Sequence, residues 1–302
     1  MITPFANSLP KSAYLRLLEY QGRGKVDSFE PDLPLILFIS FSRIAAGLSL
    51  IYVFFPESML WSGVSLGCMM LATLASIAHL SVPWRFLTMA INNRSYLVWE
   101  IRMAGALGAF LGLQFFSWFG WFHGYEVYFP WFNVCLSILF LFSTGWAYRL
   151  ETHPAWKTSL LPFYYLASAL AVGLGLRSIQ YPSPLVAPLF AALLLMKGIF
   201  LALYRNHLKT TSPTSLKKML VGKERRVCLV FLSTDLLLPA LLTFGLLVGG
   251  EWGIFHCLIA TSCIAAIFLE RVLFFWVEKP VFFLSFMRNP ELNDRYPYWI
   301  RG

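Results

Sequence analysis

Eight apolar runs, at residues 33–55, 61–80, 97–121, 129–149, 158–178, 184–204, 227–248 and 252–276, fill most of this 302-residue chain. Each reaches the roughly 20 residues that a helix needs to cross the hydrocarbon core of a bilayer. Lipid offers no partner to backbone N–H and C=O groups, so only helices and closed barrels can span it. Continuous runs, in place of alternating segments of about ten residues, select helices. Composition agrees: 58% of the residues are apolar and 13% charged, where a soluble domain carries about a quarter charged. The expected fold is all-α integral membrane, a bundle of eight transmembrane helices over residues 33–276. An extramembrane N-terminal arm, 1–32, and a C-terminal tail, 277–302, flank it. The arm lacks the apolar core of a signal peptide and is expected to be retained.

An even number of spans puts both termini on one side, here called side A. Nineteen of the 24 lysines and arginines then fall on side A, in the arm, the loops 80–96, 150–157 and 205–226, and the tail. Arg177 lies at the opposite face, side B, and Arg43, Arg102, Lys197 and Arg271 lie within spans. The positive-inside rule makes side A cytoplasmic. Orientation accounts for the basic loop from Arg205 to Arg226 and calls for no nucleic-acid partner. Trp118, Trp121, Tyr125, Tyr128 and Trp131 suit an interfacial aromatic belt on side B.

Ionisable residues within the spans are costly and need a reason. Arg43 lies ten residues into the first span, about 15 Å deep at 1.5 Å per residue. Asp235 and Lys197 lie about two turns in from side A. Glu270 and Arg271 fall near the side A end of the last span, and His79, Glu100 and Arg102 sit at helix ends on that side. Arg43 and Asp235 are too deep to snorkel easily, so pairing within the bundle is expected. The side B half reads as nearly devoid of polar residues. The five histidines give no pair at matching mid-span depth, so no haem is expected. The cysteines and histidines have no metal-ligand spacing, so no metal is expected either.

The densest polar stretch runs from Ser76 through His79, Pro83, Arg85, Asn92, Asn93 and Arg94 to Glu100 and Arg102, joining the second and third spans. A histidine and a carboxylate on adjacent helix ends could take and pass on a proton, and Arg85 could hold Glu100 ionised. A plainer account also suffices: His79 caps its helix and Glu100 complements the N-terminal dipole of the next.

The pattern His79, Leu80, Pro83, Arg85, then Glu100 and Ile101, resembles the membrane-anchor subunit of the bacterial dimethyl sulfoxide reductase family. That family reads H-L-G-x-P-x-R-A followed by S-x-E-I. Asp32, Leu33, Pro34, Leu35, Phe38 and Gly47 are similar to its H-E-x-P-L-x-x-F-T start. The stretch Ala147–Trp156 resembles its Y-x-x-x-x-x-P-x-W connection, and Arg271 with Phe274 and Phe275 its closing G-R-x-x-F-Y. Departures are Pro31 and Asp32 for the usual His-Glu, Arg43 for a common glutamine, Ser81 for glycine, and Ile267 for a glutamate, with Glu270 displaced.

The resemblance implies a multi-pass subunit of the bacterial cytoplasmic membrane that anchors an iron–sulfur electron-transfer subunit and a molybdopterin catalytic subunit. It would bind menaquinol near side A, with His79 as proton acceptor, Glu100 as relay and Arg85 orienting or docking. Arg43, Asp32 and Asp235 would border the quinol. The same pocket chemistry run in reverse, reducing quinone with a sulfur donor such as sulfite, is an alternative. A transporter using Arg43, Asp235 and Lys197, and a purely structural bundle, are others.

Overall fold

A computed structural model describes residues 33–55, 58–79, 96–122, 124–125, 127–149, 155–183, 185–221, 224–249 and 253–277. In chain order the helices are α1 (Leu33–Ile51), α2 (Met59–His79), α3 (Tyr96–Ser117), α4 (Phe129–Ala147), α5 (Leu161–Gln180), α6 (Val186–Thr211), α7 (Pro213–Val221), α8 (Arg225–Leu232), α9 (Leu238–Gly249) and α10 (Gly253–Val277). A short 3-10 turn, Tyr52–Phe54, extends α1, and a π-helical segment, Ser233–Leu237, joins α8 to α9.

The protein is an all-α, multipass membrane bundle. Among the described residues six helical stretches are both long and apolar enough to cross a membrane. This corrects the expectation of eight such helices. The shortfall is α3 and α5, which at 22 and 20 residues have the length. Their composition is diluted by Glu100, Arg102 and Gln114 in α3, and by Tyr164, Tyr165 and Arg177 in α5. A helix shielded by its neighbours can carry such residues without presenting them to lipid. α5 accordingly buries 14 of its 20 residues. The outer surface is the reverse, with Leu74, Leu195, Leu241 and Phe244 more than half exposed. An exposed apolar belt of this extent suits lipid, not water.

α1 and α5 form the centre. α1 packs on α2, α4, α5 and α10, and α5 packs on α1, α4, α6 and α10. The α1–α5 approach depends on two glycines. A Cβ on Gly47 would enter the backbone of Ala169, and one on Gly173 would enter the backbone of Gly47. Ala169 and Gly173, one helical turn apart, are the small residues that let two membrane helices touch backbone to backbone. Gly145 of α4 approaches Pro162 of α5 in the same way. The Gly47–Gly173 contact lies toward the side B ends of α1 and α5, and the Gly145–Pro162 contact joins α4 and α5 at the side A end.

Two elements differ from the apolar runs. α6 continues past residue 204 to Thr211, and 26 residues at 1.5 Å make it about 39 Å long, longer than the hydrocarbon core. The seventh run is broken by the π segment, in which the Leu238 N–H bonds to the Ser233 carbonyl. Pro239 sits just beyond. Proline has no N–H and its ring crowds the carbonyl four residues back, here that of Asp235, so the preceding turn widens.

Gly173→Val is expected to lower stability by about 1–3 kcal/mol through overpacking, measured by thermal unfolding of the purified protein in detergent. Gly105, where a Cβ meets nothing within 4 Å, should accept alanine without loss.

Candidate functional site: a buried charge cluster

Three cations and three carboxyls are buried in the side A half of the bundle: Arg43, Lys197, Arg271, Glu100, Asp235 and Glu270 are each at most 9% exposed. They come from α1, α6, α10, α3 and the π segment, so the cluster ties five elements together.

Arg43 grips Glu270 with both terminal nitrogens, Nη1 on Oε2 and Nη2 on Oε1. Arg271 donates its Nη2 to Glu270 Oε1 at 3.1 Å. The two guanidiniums also lie over the Tyr165 ring, 4.2 and 4.3 Å from its centroid. Cation–π attraction in a desolvated site contributes about 2 kcal/mol per contact. A second pair lies alongside: Lys197 Nζ bonds Asp235 Oδ1, and the Tyr164 hydroxyl donates to Oδ2 at 3.0 Å. Asp235 sits in the π segment. The widened turn there also leaves the Thr234 carbonyl to accept a hydrogen bond from Ser262 of α10.

Glu100 is less completely paired. It is 1% exposed, and Thr144 and the Arg271 guanidinium face its carboxyl. Its Oε1 nevertheless has no hydrogen-bond partner. Next to it, Arg271 lies 4.7 Å from the Phe274 ring and 5.4 Å from that of Tyr148. Trp156 stacks on Phe274 at 4.4 Å and 13°, and Tyr148 meets Phe274 edge-on at 5.7 Å. Tyr148 and Trp156 of the stretch after α4 thus form one aromatic box with Arg271, Phe274 and Phe275. The two motifs are far apart in sequence and meet in space.

Of the residues proposed from sequence, Arg43 and Asp235 lie in this cluster, each in an ion pair, as their depth required. Lys197 is buried with them, at 2% exposure. His79 is the last residue of α2, at the end next to the start of α3, and its side chain lies outside the described residues. So do Arg85, Asp32, the N-terminal arm and the tail beyond 277. Arg102 is partly exposed and lies over the Trp99 ring at 5.9 Å, a boundary residue and not a member of the cluster.

Sequence reasoning missed the engagement of Glu270, Tyr164, Tyr165, Thr144 and Tyr148. The adjacent tyrosines at the start of α5 were the available signal, since a phenol this deep needs a partner. It also missed polarity on side B, and that reading is corrected. Arg177, Gln114 and Asn133 are buried there, at 2%, 6% and 1% exposure. They line a small polar cavity with Ser49, Ser62 and Ser65. Asn133 Nδ2 donates to Gln114 Oε1, and Arg177 lies 6.0 Å from the Trp61 ring. Amides and hydroxyls escape a count of charges, and Arg177 lies near a helix end where exposure is the ordinary expectation.

Among the described residues, no group of three or more His, Cys, Asp or Glu side chains is placed to hold a metal. No protein-family model matches the chain, and no curated protein matches it.

Lys197→Met is expected to strand the Asp235 carboxylate and lower stability by about 3–5 kcal/mol. Adding Asp235→Leu should recover most of the loss. Denaturant unfolding of the three variants in detergent measures the coupling; additive losses would show that the two charges do not support each other.

Proposed function

We propose that this chain is the membrane-anchor, quinol-binding subunit of a molybdopterin and iron–sulfur oxidoreductase. It crosses the bacterial cytoplasmic membrane eight times, with both termini cytoplasmic. In this reading α3 and α5 also span, shielded from lipid by their neighbours. The chain exchanges electrons between menaquinol and an iron–sulfur partner that docks on side A.

The observation that carries the reading is Glu100, a buried carboxyl with an oxygen left unpartnered, one turn inside the helix that follows His79. A quinol that loses two electrons must also lose two protons, and the base receiving them must lie within hydrogen-bond reach and lead to water. His79 takes a proton, Glu100 relays it, and Arg85 orients the connection between them. Arg271 acts on the relay electrostatically, with its Nη2 bonded to Glu270.

The side B cavity favours a second reading, an ion- or solute-conducting bundle with polar groups near both faces. Against it, the tightly buried Leu107, Leu111, Phe140 and Leu141 lie between the two polar regions on α3 and α4.

His79→Gln or Glu100→Gln should reduce quinol-dependent turnover about 10²-fold or more in membranes carrying the complete complex. Complex assembly and activity with an artificial electron-donor dye should persist. Unchanged quinol oxidation in both variants would overturn the assignment.

A further inference from the structure

A cleft of about 70 Å³ opens between α5, α6, α7, α8 and α10 on the side A half. Trp156, Tyr164, Phe200, Tyr204, Phe231 and Phe274 supply its aromatic wall, and Glu270 is the one charged residue among those lining it. Neither Glu100 nor Arg43 lines it. We infer that this cleft is a second seat for a quinol ring, apart from the His79–Glu100 site, with one ring hydroxyl donating to Glu270. The inference rests on the quinol reading and adds a further site and the redox state it selects.

The wall chemistry narrows the occupant by exclusion. A cation gains little, because the Glu270 carboxylate is already held by two guanidiniums. An anion would face that carboxylate with no cation on the wall. A saturated chain would leave the carboxylate edge uncovered, and an uncompensated polar group against an apolar cleft is costly. A neutral planar ring with a hydroxyl meets all three conditions, since flat rings stack on aromatic walls and the hydroxyl covers the carboxylate.

Lone-pair bookkeeping makes the site selective for the reduced form. A carboxylate offers about four acceptor positions. Glu270 Oε1 accepts from Arg43 and Arg271, whereas Oε2 accepts from Arg43 alone, so Oε2 has capacity for a further donor. A quinol brings a donor to this acceptor. A quinone brings only acceptors and loses the charge-assisted bond. A bond of that kind corresponds to roughly 10- to 100-fold in affinity.

The test is photolabelling of the complete complex in native membranes with an azido-naphthoquinol carrying an isoprenyl tail, followed by peptide mapping. Label is expected on peptides containing Trp156, Tyr204 or Phe274. Leu201→Trp, which fills the cleft, should cut it at least about tenfold, and Met219→Trp should do the same from the opposite wall should the first variant fail to assemble. Unlabelled naphthoquinol should compete roughly 10- to 100-fold better than naphthoquinone. Saturable label that maps only to the α2–α3 region and survives both substitutions overturns the cleft and leaves the quinol reading intact. No saturable label anywhere overturns both. Equal competition by the two redox forms removes the Glu270 hydrogen bond, and displacement by phospholipid vesicles alone marks the cleft as a lipid seat.

Discussion

Arg43 imposes the condition that the rest of the bundle meets. A guanidinium about 15 Å from the boundary of an apolar helix cannot be left alone, because its desolvation cost exceeds what any single apolar contact returns. Glu270 supplies the counter-charge, but a bidentate pair that close requires α1 and α10 to lie side by side. The Tyr165 ring, touched by both Arg43 and Arg271, requires α5 to lie against them as well. Gly47 and Gly173 make that approach possible. Backbone sterics and buried charge thus select the same helix arrangement.

Removing water from six ionisable groups at one end of a bundle also has a chemical consequence. Coulomb interactions there are strong and protons are not exchanged freely with solvent. Glu100 Oε1 is one of several buried polar atoms there without a hydrogen-bond partner, with Arg43 Nε, Arg271 Nε and Nη1 and the Tyr165 hydroxyl, while the ion pairs brace the structure. The π segment belongs to the bracing part. It places Asp235 against Lys197 and Tyr164 while turning the Thr234 carbonyl toward Ser262.

Much of this was legible in the residues before any coordinates. Length and hydropathy located every long helix to within a few residues at most ends, because the bilayer sets a single length scale. Depth alone indicated that Arg43 and Asp235 would be paired. The identity of the partners was hidden. Arg43 meets a residue 227 positions away, and helix order in the bundle is not encoded in apolar runs. α3 and α5 could be found as helices, yet their polarity reflected interior position, which a linear profile does not report. The polar half of side B escaped because Gln114, Asn133 and the serines carry no charge. The aromatic cleft escaped because it is assembled from several helices and no local pattern marks it.

The central claim is that the polar end of this bundle exchanges quinol with redox partners docked on it. Its most direct test is purification of the intact assembly from gently solubilised native membranes, with identification of every co-eluting chain and its metal content. The account predicts that the chain emerges with an iron–sulfur subunit and a molybdopterin subunit in fixed proportion. Recovery of the intact chain alone, with neither partner under conditions that preserve other membrane complexes, would contradict it.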